Sequence, residues 1–136
     1  MQTVPHLHFR GNCREAFNFY ADTFGGRIAS AMTFGESPAA AQVKPEERDQ
    51  IIHARLEYAD QAICGCDAPA DRYQKPQGFS VLASVPEPKE AERVFHALSR
   101  GGAVHMPFGP TFWAQGFGMC TDRFGIPWMV NCEKAS

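Results

Sequence analysis

Phe112-Trp113-Ala114-Gln115-Gly116-Phe117-Gly118-Met119-Cys120-Thr121-Asp122-Arg123-Phe124-Gly125-Ile126-Pro127-Trp128-Met129-Val130-Asn131-Cys132-Glu133 holds the strongest local signals in the chain. It reads as a loop, a strand, a tight turn at Asp122-Arg123-Phe124-Gly125 and a closing strand. Asp at the first position of a turn and Gly at the fourth form a common type I signature. Working back from it, Pro107 to Gly116 reads as a loop and Ala103 to Met106 as a short strand. Before these, Ala91, Val94, Phe95 and Leu98 recur at helical spacing, with Pro88 in the first turn and Gly101-Gly102 as the stop. Phe79 to Val85 alternates as a strand, with Phe79, Val81, Ala83 and Val85 on one face.

The first half repeats this order. Val4 to Arg10 alternates, with Leu7 and Phe9 on one face and His6, His8 and Arg10 on the other. Asn12 stands at a helix cap position with Glu15 as its capping-box partner, and Cys13, Ala16, Phe17, Tyr20 and Phe24 form the apolar stripe. Gly25-Gly26 ends the helix. Arg27 to Phe34 is a strand, and Gly35 to Gln50, with Pro38 and Pro45, is a long surface loop. Ile51 to Tyr58 alternates, placing His53, Arg55 and Glu57 on one face; Ala62 to Cys66 is the returning strand and Asp67 to Gln77 a linker. The order is βαβββ followed by βαβββ: an α+β single domain over 1–136, with module one at about 1–67 and module two at about 78–136.

One helix covers one face of a four-stranded sheet, so each module has an uncovered face. Alternation places His6, His8, His53, Arg55, Ser80, Leu82, Ser84, Met129, Asn131 and Glu133 there. Two such faces laid around a cavity make a concave surface with a few polar groups, the usual form of a small-molecule site. Trp113 and Phe112 lie in a loop suited to wall that cavity by stacking, or equally to plain core or dimer packing. Cys64-Gly65-Cys66 is not a C-x-x-C motif; thiols two apart on a strand read as buried hydrophobes. Arg55 suits an anionic ligand or a salt bridge to Glu57.

Composition narrows the classes further. The chain has 136 residues, 44% hydrophobic and 21% charged, with a net charge of −2. That balance offers no electrostatic footprint for nucleic acid or an acidic membrane. No apolar run approaches the roughly 20 residues of a membrane span. Five Cys with no secretory segment ahead of them point to reduced thiols and a cytoplasmic protein. There is no G-x-S-x-G elbow, and Gly116-Phe117-Gly118 has Thr121 where a dinucleotide loop needs its third Gly. No Gly-rich turn follows a first parallel strand, so the residues do not support a self-contained methyl-donor site.

The two modules, with Gly11-Asn12-Cys13-Arg14-Glu15-Ala16-Phe17, Phe24-Gly25-Gly26, His53-Ala54 and the Phe112-to-Trp128 stretch, resemble the vicinal-oxygen-chelate superfamily. That superfamily includes glyoxalase I, extradiol dioxygenases, and fosfomycin- and bleomycin-resistance proteins. The chain is most similar to its PhnB-like branch, whose members are often labelled demethylubiquinone-methyltransferase-like. The resemblance implies a glyoxalase/bleomycin-resistance-like fold, a homodimer, and a divalent metal held by the first and last strands of each module. Those positions fall at His6 (or His8), near Cys64, at Ser80 and at Met129. Ser and Met are poor ligands for the metals that the superfamily uses. The leading expectation is therefore a small-molecule-binding protein with no firmly held metal. The alternatives are a divalent-metal-dependent glyoxalase- or dioxygenase-type enzyme, and an interaction protein whose cavity is filled by its own side chains.

Overall fold

Strand alternation and helix stripe decide where each layer lies. The computed structural model describes residues 1–134, in two compact units, one of Met1–Gln74 and one that begins at Lys75. Unit one contains β1 (His6–Phe9), α1 (Cys13–Phe24), β2 (Arg27–Thr33), β3 (Ile51–Tyr58) and β4 (Gln61–Asp67). Unit two contains β5 (Val81–Ser84), α2 (Pro88–Ser99), β6 (Ala103–Gly109), β7 (Ala114–Thr121) and β8 (Pro127–Glu133). The sheets run β1-β4-β3-β2 and β5-β8-β7-β6. In each, the first strand pairs parallel with the last and the other neighbours are antiparallel. The expected βαβββ order thus stands twice. No helix among the described residues is long and apolar enough to cross a membrane.

Each helix buries its stripe against one sheet face. Cys13, Ala16, Phe17 and Tyr20 of α1 are buried, and Phe17 and Tyr20 have their rings 6.1 and 6.5 Å from that of Phe9 on β1. Ala91, Val94, Phe95 and Leu98 of α2 are all buried. A glycine in the sheet lets each phenylalanine lie directly on the backbone. A Cβ at Gly65 would fall 2.8 Å from Phe17, and one at Gly118 would fall 2.6 Å from Phe95. Fully burying a large apolar side chain contributes about 1.5–3 kcal/mol, so these contacts dominate the helix–sheet attachment.

Two buried carboxylates fix the connections. Asp67, 2% exposed at the end of β4, accepts hydrogen bonds from the backbone N–H groups of Gly11 and Cys13 through Oδ1, at 2.9 Å each, and from Ile51 through Oδ2 at 2.8 Å. It ties together the entry to α1, the start of β3 and the end of β4. Asp122, 3% exposed, accepts from the N–H groups of Phe124 and Ile126 through Oδ1 and from Trp128 Nε1 through Oδ2 at 2.8 Å. The expected turn is present, with Gly125 N–H bonded to Asp122 O and Gly125 at φ 93°. That left-handed conformation is what glycine supplies without strain.

Four expectations need correction. Asn12 sits at the helix cap but makes no side-chain cap bond; the open N–H of Cys13 goes to Asp67 instead. Asp67 therefore belongs to the strand and the core, not to a linker. β6 continues through Pro107 to Gly109 rather than ending at Met106. It is an edge strand of its sheet, where a residue without an N–H is tolerated. β5 is shorter than the expected Phe79 to Val85, so Ser80 precedes it and belongs to no strand.

Two outcomes follow from this packing. Asp67→Ala strands three N–H groups and is expected to cost about 3 kcal/mol or more, whereas Asp67→Asn keeps one acceptor and costs about 1–2 kcal/mol. Urea midpoints at unchanged slope measure both, and equal losses would contradict the bonding. Gly65→Ala and Gly118→Ala overfill their sites and are expected to lower stability by about 1–3 kcal/mol each in the same assay; unaltered midpoints would show that the helices do not rest on the glycine backbone.

Candidate functional site

The face of each sheet turned away from its helix carries most of the candidate site residues. In unit one the β1–β4 register sets His6 beside Cys64 and His8 beside Cys66, while Leu7 and Phe9 turn to α1. The β3–β4 register sets Arg55 beside Cys64, and alternation puts His53 on the same face. The rings of His6 and His8 have centroids 5.1 Å apart, and those of His6 and His53 6.3 Å apart. Cys66 Sγ lies 3.4 Å from His6 Nε2 and 3.8 Å from His8 Nδ1. Ligand atoms of His6, His8 and Cys66 all fall within 4.8 Å of one another. Partial burial, then the charges of His8 and His53, hold the His6 imidazole below its usual pKa. Burial, then the neighbouring Asp67, pushes the Cys66 thiol up.

Arg55 is engaged rather than free. Its Nε donates to Glu57 Oε2 at 2.9 Å and its Nη2 to Gln2 Oε1 at 3.2 Å, with Cys64 Sγ 3.9 Å from Nη1. Glu57 also pairs with Arg27 at 3.0 Å. Arg55 therefore lends little net charge to the face beside it. Of the two readings open for this residue, the structure shows the salt bridge.

In unit two the β5–β8 register sets Leu82 beside Met129 and Ser84 beside Asn131, on the face opposite the buried Trp128, Val130 and Cys132. A hollow of about 600 Å³ opens at the end of this face, lined by Ser84, Val85, Pro86, Gln115, Asn131 and Glu133, with Glu87, Pro88 and Lys134 completing it. Asn131 Oδ1 is buried and, among the described side chains, is the one buried polar atom without a hydrogen-bond partner. Trp113 is 45% exposed and Phe112 87%, with rings 4.8 Å apart, and Trp113 stacks edge-on to Phe117 at 5.2 Å. Neither residue lines the hollow.

The structure brings His6, His8 and His53 onto one face, and Met129 and Asn131 onto another. It leaves Ser80 outside a strand. Sequence reasoning did not place Cys66 in the histidine group or Gln115 in the hollow. The signal for Cys66 lay in topology: a first strand parallel to the last sets each histidine beside an alternate cysteine. The metal positions implied by the superfamily do not fit a hard divalent ion. Cys64 is buried beside a guanidinium, Ser80 precedes its strand, and Met129 offers only a thioether.

Comparison with known proteins agrees with this architecture. A family model described as 3-demethylubiquinone-9 3-methyltransferase matches residues 1–131. Protein YjdN of Escherichia coli (strain K12) is 34% identical over 142 residues, covering 98% of this chain and 97% of that protein. The crystal structure of protein PA1353 from Pseudomonas aeruginosa is 46% identical, covers 99% of each chain and superposes with a TM-score of 0.91. The PhnB protein from Bacillus cereus is 25% identical, covering 97% and 99%, with a TM-score of 0.82. A glyoxylase/bleomycin resistance protein/dioxygenase domain from Frankia sp. EAN1pec shares the fold at 12% identity and a TM-score of 0.66, covering 100% and 93%. The chain therefore belongs to the 3-demethylubiquinone-9 3-methyltransferase family, in its PhnB-like branch, built on the glyoxalase/bleomycin-resistance fold.

Proposed function

We propose that the protein is a cytoplasmic, homodimeric small-molecule-binding member of this branch, and that its ligand seats in the unit-two hollow against Asn131. The orphaned carboxamide oxygen carries this reading. A buried acceptor without a donor costs about 1–3 kcal/mol, a cost that folding alone does not recover. A ligand hydroxyl or amine supplies the missing donor. Val85, Pro86 and Pro88 give the apolar wall, and Ser84, Gln115 and Glu133 the further polar contacts. A hollow of about 600 Å³ suits a small organic molecule. The metalloenzyme alternative is weaker at the positions the superfamily implies, because their donor set is poor. The exposed apolar side chains of Phe79, Leu82, Val104 and Met106 support a subunit interface.

Asn131→Leu is expected to fold with undiminished or raised thermal stability, because it removes an unsatisfied acceptor. It is expected to lose at least about tenfold in affinity for hydroxyl- and amine-bearing fragments that bind the wild type, one missing hydrogen bond being worth about 1.4 kcal/mol or more. Ligand-observed NMR with a fragment library measures this. Fragments that bind the variant equally well, or a library with no binders, would overturn the reading. Light scattering is expected to give twice the chain mass across a wide concentration range; a monomer mass throughout would contradict the dimer.

A further inference from the structure

We infer that unit one carries a transition-metal site of its own, in which His6, His8 and Cys66 hold one Zn(II)-class ion. The distances fit the ion. Tetrahedral zinc with bonds of about 2.3 Å to sulfur and 2.05 Å to nitrogen sets its sulfur and nitrogen ligands roughly 3.6 Å apart. Cys66 Sγ stands 3.4 Å from His6 Nε2 and 3.8 Å from His8 Nδ1, on either side of that value. One ligand atom from each of the three residues lies within 4.8 Å of the other two.

Chemistry and support agree with the geometry. Two imidazoles and a thiolate form a borderline-to-soft donor set that selects zinc-like ions over magnesium or calcium. The ligands come from adjacent paired strands, with His8 and Cys66 in direct register, so the sheet holds them in place before any ion arrives. The nearby carboxylate of Asp67 is committed to three backbone N–H groups and stays out of the ligand set. Binding moves the Cys66 thiol proton to solvent as the sulfur–metal bond forms. Three protein ligands leave the fourth position for water, His53 or an incoming ligand atom, the form of an open site. This set differs from the one the superfamily implies, which draws on both modules. Here two imidazoles come from one strand and a thiol from its neighbour.

Tag-free full-length protein titrated with Zn(II) against a chromophoric chelator is expected to take up one ion per chain. Co(II) in place of zinc is expected to give a sulfur-to-metal charge-transfer band. Cys66→Ser is expected to abolish the band, and His8→Ala to weaken zinc binding by more than the 10–100-fold that outer-shell changes typically cost. Cys64→Ser and Met129→Ala are expected to leave both readouts unchanged. Saturating Zn(II) is expected to protect Cys66 of the wild type from alkylation in peptide mass spectra, a readout that needs no variant to fold. Absence of uptake at micromolar zinc, a band that survives Cys66→Ser, binding lost on Cys64→Ser or Met129→Ala, or unprotected Cys66 would overturn the proposal.

Discussion

A single helix hides only one face of a four-stranded sheet, and both units obey that constraint. The face under the helix is spent on stability: Phe17 on Gly65 in one unit, Phe95 on Gly118 in the other. The opposite face need not pack against the helix and carries side chains chosen on other grounds. Asp67 and Asp122 make this division rigid, each gathering three N–H groups from segments that would otherwise have to satisfy them separately. His6, His8, His53 and Asn131 stand on paired strands, while Val85, Pro86 and Glu87 reach the hollow from the connection between β5 and α2.

The same topology serves two different surfaces. The first carries three imidazoles and a half-buried thiol, with Arg55 neutralised by Glu57. The second carries a buried carboxamide beside proline and valine, with hydroxyl, amide and carboxylate groups around it. An imidazole–thiol face and a carboxamide hollow ask for different occupants. Equivalent strands thus carry unlike side chains without any change in strand order.

Much of this was legible in the sequence because it depends on period alone. Alternation put His6, His8, His53, Arg55, Met129 and Asn131 on the uncovered faces, and the four-residue stripe of α2 was read residue for residue. What was not legible depends on partners far along the chain. Asp67 resembles any acidic linker residue until Gly11, Cys13 and Ile51 arrive beside it. Asn12 has the chemistry of a cap, but the carboxylate of Asp67 already accepts from the N–H of Cys13. Pro107 reads as a strand breaker unless its strand is known to lie at an edge. Cys66 reads as a hydrophobe until the parallel register of β1 and β4 sets it beside His8.

The face of each sheet opposite its helix is an open surface in this fold. A crystal structure of the protein purified without chelators tests it most directly. In it, His6, His8, His53 and Asn131 are expected to border solvent or bound-ligand density, with Asn131 Oδ1 meeting no donor from the protein. Side chains of the same chain packed over His6, His8, His53 or the hollow at Asn131, or a protein donor bonded to that oxygen, would contradict it.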